Sequence, residues 1–593
     1  MKNSFENIKK RYLELKAERE KYVPRWEEIS KYVGIRVRPQ TYLNSGESNK
    51  SEDLDKYTED PTAALSVQQA ADYLKGIMWG NGEGVISMEP TDDVLELASK
   101  EELDPWYKFA TNQVLTQMNH PNSGLNSALD AYFYDQNAFG TSGIGGWPNS
   151  AYGRGYDTNV MVYRPYGIDT LCFDEGKNGL PQLVFNVHNW RVNRLVSEFC
   201  DKEKGFDEDM FKRLPKKVQD AWNNNNLNRT FNIVLAIVPR DDFTPGALGK
   251  KGCKYVGYWF EESENKAFWA EDYEDMPIAV ARAVKIRGEV YGRSAGTMLI
   301  STIRCINEAV SDCMASMAKM LNPPIGILNT ALFGDDVVDT SENGLTVLNA
   351  ALLAGQQPIF PMQDVGDPSK IVNWLVPYLN EKVAAAFKID VLLDFSANSD
   401  MTATESLQRF SIRGRSISGM ILQQKTELFE PLIRRTVSVC MKKNVLGVDP
   451  TDEKRVAELV DRGIQERIVP DAVVRCIAEG KPWYKVKFNN EVDKLGKTEK
   501  VDNLLKLINV ISALMAVYPQ IAGAVNWYSL LADVSDALGL KQNIISEKEF
   551  RKQIEAQARQ QAALLQAQAA ESSAAANRNN AAAIRDMENG QRG

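Results

Sequence analysis

The residue sets that could carry chemistry in this chain are few and poorly spaced for it. A nucleotide motor needs a glycine loop whose amides cradle phosphate, followed by lysine and Ser/Thr. Gly496-Lys497-Thr498 is the nearest match, but Glu491 holds the earlier glycine position and would repel phosphate. A polar turn is expected there instead. Only two histidines, His120 and His188, occur in 593 residues, which leaves little room for a histidine triad or a metal cluster. His120 precedes Pro121 and reads as a turn residue. His188 sits beside Trp190 in a strand pattern and reads as a packed or hydrogen-bonded imidazole. The acidic set Glu261, Glu262, Glu264, Glu271, Asp272, Glu274 and Asp275 matches no calcium-loop spacing. It is expected to line a solvated hairpin edge, where charge discourages strand addition. The glycine-rich GTSGIGGWP at 140–148 is expected to be a turn. Seven cysteines (172, 200, 253, 305, 313, 440 and 476) lack CxxC spacing and suggest neither a disulfide framework nor zinc. They are expected to be reduced thiols. No catalytic residue, cofactor or metal is expected.

The elements that hold these residues must form several packed regions, because the chain is far longer than a single core can grow. Hydrophobic residues at 44% and charged residues at 25% are ordinary for a globular protein. No apolar run approaches the roughly 20 residues of a membrane helix, and the charged amphipathic start has no secretory apolar region, so a soluble chain without a membrane partner is expected. A net charge of -9 is the wrong sign for a broad grip on nucleic acid.

Phe5, Ile8, Tyr12 and Leu15 recur at helical spacing. A polar stretch from Gln40 to Asp60 comes next, then a second helix near Thr62 to Trp79. NVMVYRP, LVFNVHNW, FNIVLAIVP and KYVGYWF predict a mostly antiparallel β block. After Tyr291 the pattern turns to long helices. Leu299, Ile303, Ile306, Val310, Cys313, Met317 and Met320 form a 4-3 seam, and Arg304 can pair with Glu308 one turn on. Asn322-Pro323-Pro324 stops that helix. A small module extends from there to about Asp367, and Pro377 starts or kinks the next helix. Thr402-Ala403-Thr404-Glu405 fits a capping box for a long helix with Gly414 and Pro431 as bending points. From Ser546 the chain is rich in Ala and Gln, predicting a helix with a disordered end. The class expected is α+β.

Two signatures in this order resemble the head-to-tail connecting (portal) protein family of short-tailed bacteriophages. One is Tyr291-Gly292-Arg293-Ser294-Ala295-Gly296, similar to the family's YGRSP-type lead-in, with Asn307 at the middle of the helix after it. The other is Met401 to Glu405 with Arg409, then Glu427, Pro431, Leu432, Arg434 and Arg435. The resemblance is dense over 288–441, and Ala295 stands where the pattern has proline.

This resemblance implies a portal-type fold with long stem and wing helices, a mixed β wing region and a small α/β clip. In detail it implies a wing over 1–290, a first stem helix over 291–322, a clip over 323–366 and a second stem helix over 367–393. A channel loop at 394–401, a long wing helix at 402–443, a helical crown at 444–545 and a tail at 546–593 complete it. Ser396, Asn398 and Ser399 would then face a channel, Arg409 and Arg413 could supply a weak basic ring near DNA, and Thr402 and Glu405 would cap the long helix.

It further implies a dodecameric ring at one capsid vertex of the virion, assembled in the host cytoplasm, through which the genome is packaged and ejected. The partners implied are the chain itself, terminase, capsid and scaffolding proteins, tail adaptors and double-stranded DNA read without sequence preference. Twelve copies would carry a charge of about -108, twelve times -9, which suits a conduit that does not hold duplex by counterion release. Rival readings are a tail or collar structural protein that never encloses DNA, and a packaging enzyme subunit.

Overall fold

The 3-4 spacing of Ile8, Tyr12 and Leu15 puts all three on the buried side of helix α1 (Phe5–Glu20) in the computed structural model, with Phe5 half-buried beside them. The structure describes residues 4–35, 58–153, 157–202, 205–247, 249–329, 339–349, 359–361, 371–390, 417–462 and 464–489, with 507–508 and 510–511. The chain divides into two compact units, residues 1–490 and 491–593, and all the elements named below belong to the first.

α1 lies on a five-stranded antiparallel sheet. Its strands are β4 (Leu171–Glu175), β5 (Pro181–Arg191), β6 (Thr230–Pro239), β7 (Tyr255–Glu261) and β8 (Trp269–Tyr273), in the order β8-β7-β6-β5-β4. The two-residue period of strands explains the contact. Phe185 and Val187 of β5, in register with Ala236 and Val234 of β6, present one face to Tyr12. Each large apolar side chain buried there contributes about 1.5–3 kcal/mol. The helix is also pinned by polar groups. Arg19, fully buried, donates to the Ile168 carbonyl from Nε and Nη2 at 3.1 and 2.7 Å.

The expected antiparallel block is therefore present, but one expectation within it is corrected and another is met only in part. GTSGIGGWP is not a turn. Thr141–Pro148 forms β2, the middle strand of a second sheet between β3 (Met161–Tyr166) and β9 (Ile278–Arg282). It is buried through Gly146, and its glycines serve close approach, since a Cβ on Gly143 would sit 2.9 Å from the Ala279 carbonyl oxygen. With both faces covered there is no polar alternation to mark a strand. The acidic set lies along the β7–β8 hairpin, as expected, with Glu271 and Asp272 in the edge strand β8, but it is not wholly solvated. Glu262 accepts from Lys16 (2.6 Å), Tyr12 (2.9 Å) and Asn232 (3.1 Å), so it fastens α1 to the sheet. Burial opposes the charge on its carboxyl, but these donors outweigh it and hold the group below the usual range. Asp272 pairs with Arg240, and Glu274 with Lys442.

Around these sheets pack α2 (Val23–Tyr32), α3 (Thr62–Met78), α4 (Lys100–Asn119), α5 (Leu125–Phe139) and α6 (Val192–Cys200). The long α7 (Ala295–Leu321) ends at Asn322 before the two prolines. Its seam is buried at Ile303, Ile306 and Cys313 against α2, α5 and α8 (Val376–Ala386), but Met317 and Met320 are exposed. Arg304 reaches both Glu28 (3.1 Å) and, more distantly, Glu308 (3.7 Å). Between α7 and α8, β10 (Ile325–Asn329) pairs in parallel with β11 (Leu345–Asn349) and antiparallel with β12 (Ile359–Pro361). Pro377 stands in the first turn of α8, as expected.

Helical residues 417–424 run through a wide π turn at Lys425–Phe429 into α9 (Glu430–Lys442). Pro431 in the first turn of α9 has no amide to donate, which fits a break in the regular ladder at this point. Residues 444–490, expected to be helical, carry α10 (Glu453–Asp461), α11 (Asp471–Ala478) and a strand, β13 (Tyr484–Phe488). β13 pairs antiparallel with β1 (Ile86–Pro90). YKVKF alternates as a strand should, but its partner ISMEP lies almost 400 residues earlier, beyond what a pattern along the chain can reveal.

Candidate functional site

The residues Tyr291 to Gly296 build the start of α7, and each has a distinct task. Tyr291 is a buried plug packed edge-on to Trp26 and Phe173, and burial pushes its hydroxyl far above the usual range. Gly292 touches Gly140, whose carbonyl oxygen would be 2.4 Å from any Cβ at position 292. Arg293 closes an ion pair with Glu289. Ser294 is the N-cap: its Oγ accepts from the Thr297 amide at 3.0 Å and donates to the Ala138 carbonyl at 2.6 Å. Thr297 Oγ1 accepts in return from the Ser294 amide at 3.3 Å. Nothing but a small residue fits at Gly296, where a Cβ would meet Val33 at 2.9 Å.

Ala295 occupies the first helical position, and Ser294 before it is extended at φ -98°, ψ 171°. Proline is favoured at that position and tolerates that predecessor. Ala295→Pro is therefore expected to stabilise the protein by about 0.4–1 kcal/mol, read as a raised calorimetric midpoint. A lowered midpoint would show that the Ala295 amide has a partner that matters.

About three turns further along, Asn307 is buried inside α7. Its Oδ1 accepts from the amides of Glu59 (2.8 Å) and Asp60 (2.9 Å), while Nδ2 donates to the Ile303 carbonyl (2.9 Å). Asp60 in turn accepts from the Thr62 amide and from Asn380 Nδ2, both at 2.8 Å. Three helices, α3, α7 and α8, are thus joined through one asparagine and one aspartate.

The second junction lies where the helix over 417–442 crosses β9. Arg282, with no exposed side-chain surface, donates from its backbone amide (2.9 Å) and Nε (3.2 Å) to Glu427 Oε2, and its Nη2 pairs with Glu427 Oε1. Nη1 pairs with Glu175, and Nη2 also donates to the Gly179 carbonyl at 2.9 Å. Burial opposes the charge on Arg282, but the two carboxylates outweigh it and raise its pKa. Gln424, one turn before Glu427, donates to the Arg282 carbonyl at 3.1 Å and accepts from Gln136 at 2.7 Å and from Tyr132. The π turn at Lys425–Phe429 contains Glu427, so the widened backbone and the carboxylate that reaches Arg282 coincide.

These junctions hold position: the charged groups in them are each satisfied by fixed partners. Both histidines and the buried Cys172 and Cys440 are similarly occupied, whereas Cys305 is exposed. His120 Nδ1 accepts from the Asn122 amide at 3.2 Å, the turn role expected of it. His188 lies against Trp190, Trp259 and Tyr166, and burial together with Arg194 and Arg164 pushes its pKa down to about 3. Burial pushes the Cys172 and Cys440 thiols up to about 11 and about 12, far from reactive thiolates.

Ser396, Asn398, Ser399, Thr402, Glu405, Arg409 and Arg413 lie outside the described residues, as do Gly496 to Thr498. Of the positions that carry the resemblance, the structure brings Tyr291 to Gly296 and Asn307 to the first half of α7, and Glu427 to Arg282. It also supplies Arg282, Glu175, Gln424, Asp60 and Asn380, which no local pattern marks. A charged residue closing an apolar strand, as Arg282 does in PIAVAR, is the one signal available beforehand.

Comparison with known proteins gives a family match over most of the chain. The family described as bacteriophage head to tail connecting protein matches residues 6–464. A probable portal protein of Bordetella phage BPP-1 is 23% identical over 458 residues, covering 75% of this chain and 76% of its own. Among solved structures, chains from the virion of a native gene transfer agent and from the neck of an empty particle of that agent are each 12% identical. Each match covers 72% of this chain and 91% of the other, at a TM-score of 0.27.

Proposed function

Because this chain belongs to the bacteriophage head to tail connecting protein family, a family of structural virion proteins, we propose that it forms a closed ring at one capsid vertex. The observation that carries the ring is an uncovered apolar face on two adjoining helical segments. Met314, Met317 and Leu321 succeed one another along α7 at i, i+3 and i+7, and Leu321 is 81% exposed. In the helical turn Ile371–Leu375, which packs against α7 and leads into α8, Trp374 is 71% exposed and stacks on Tyr378 of α8, 6.4 Å away and nearly parallel. Such a row on a lone chain calls for a partner. A second copy that presents the opposite side of the same hairpin covers it, and repetition by rotation covers every copy.

In this reading α7 and α8 are the stem, the three-stranded module between them the clip, and residues 394–401 with Ser396, Asn398 and Ser399 the channel loop. Thr402 and Glu405 cap the helix after that loop, and Arg409 and Arg413 give it weak phosphate contacts. Twelve subunits, passage of genomic DNA in packaging and ejection, and docking of terminase, capsid, scaffolding and tail proteins complete the proposal. The net negative charge of the chain supports a conduit in which duplex slides.

Electron micrographs and the native mass of the purified protein test it. Closed rings with a central hole are expected, and Met317→Glu with Leu321→Glu should give folded monomers. A strictly monomeric parent at micromolar concentration in moderate salt and magnesium overturns the ring. A double variant that closes rings as the parent does overturns this apolar face as the contact between copies.

A further inference from the structure

At the end of β5 a cleft of about 910 Å³ opens beside α6. Arg164 of β3, Arg191 at the end of β5 and Arg194 of α6 line it, with Asn193, Asn226 and Asn228. Among the described residues none of the three arginines has a carboxylate within ion-pair distance, although the chain pairs its buried Arg282 twice over. Arg194 is held in place by stacking over Trp190, 5.0 Å from the ring centre. The first amides of α6 are already used, Val192 donating to Arg229 and Asn193 to Leu227. The cleft therefore offers side-chain guanidinium groups, and the charge of Arg194 and Arg164 is felt by His188 on the same side of the sheet.

We propose that this cleft is a docking site for an acidic peptide segment of a partner protein, whose carboxylates pair with Arg164, Arg191 and Arg194. Guanidinium groups suit carboxylate and phosphate alike, so the rest of the lining decides between them. Glu198 and Asp201 also face the cleft, and Asp201 accepts from Ser197 at 2.8 Å. A nucleic-acid strand, with a charge at every step, cannot avoid these two acidic side chains. A peptide spaces its carboxylates with neutral amides, which the asparagine side chains can both donate to and accept from. The volume holds several residues, within the ordinary range for ligand sites.

Fluorescence anisotropy with a labelled short peptide of alternating glutamate and asparagine at low ionic strength tests this, against an oligothymidylate of matched charge. The peptide is expected to bind the assembled protein, more weakly as salt rises, and the oligothymidylate at least about tenfold less tightly. Arg164→Gln/Arg191→Gln/Arg194→Gln should weaken peptide binding by about tenfold, as three partly exposed charge pairs allow, with ring formation and melting unchanged. Should the triple variant not fold, Arg191→Gln alone, at an exposed position, should weaken it about threefold. No peptide binding by the parent, unchanged binding by the folded variants, or tighter binding of the oligothymidylate overturns the inference. None of these results bears on whether rings form.

Discussion

Glu427→Ala is expected to destabilise the protein by about 3–5 kcal/mol, a large effect for a single substitution. The change leaves the Arg282 guanidinium inside the core with Glu175 as its one carboxylate partner, and removes the acceptor of the Arg282 backbone amide and Nε. A buried cation stripped of one partner cannot recover its hydration, so the cost is the desolvation it already bore with less to offset it. Replacing both partners by apolar groups of similar volume should cost less than the sum of the two single changes, since no orphaned charge remains. Urea unfolding of Glu427→Leu, Arg282→Met and the pair gives the comparison. A single change at Glu427 that costs under about 1 kcal/mol, or strict additivity of the two, would show that this pair does not anchor the long helix.

Asn307→Leu should cost about 2–4 kcal/mol. Leucine fills the space but offers no acceptor, so the Glu59 and Asp60 amides lose their shared partner at the start of α3. The loss is local in origin: hydrogen exchange of those two amides should rise well beyond that of the α7 interior. Asn380→Ala makes the contrast. It removes one hydrogen bond to Asp60, together with a side-chain carbonyl oxygen that has no partner among the described residues. A cost of about 1 kcal/mol or less is expected there. Equal midpoints for Asn307→Leu and the parent would mean that the junction of α3, α7 and α8 is held by apolar packing alone.

Both substitutions act where helices meet other elements of the core, and those are the places where reading along the chain gives partial answers. The cap of α7 is marked by its residue types, and the end of α7 by two prolines, because each is decided within a turn or so of backbone. The three central strands of the five-stranded sheet are visible from runs such as FNIVLAIVP, since β-branched residues favour the pleated surface whatever surrounds them. The glycine-rich Thr141–Pro148 looks like a turn because a strand covered on both faces has no alternation, and its glycines answer to neighbours about 20 and 140 residues away, Tyr166 and Ala279. The exposure of Met317 is equally invisible, for a 4-3 seam says which side of a helix is apolar and not how far along it a neighbour reaches.

Taken alone, the amino-acid sequence determined the α+β class, the helix stops and starts around α7, the scarcity of residues able to do chemistry, and the family resemblance. All of these rest on composition or on spacings of a few residues. Tertiary structure alone decided that Arg282 meets Glu427 across 145 positions, that Asn307 serves amides 247 and 248 positions earlier, and that β1 pairs with β13. It also decided that three arginines converge on one cleft. The physical reason is the same in each case: a polar group must find a partner once water is removed, but which partner depends on how whole elements pack, and no local pattern encodes that.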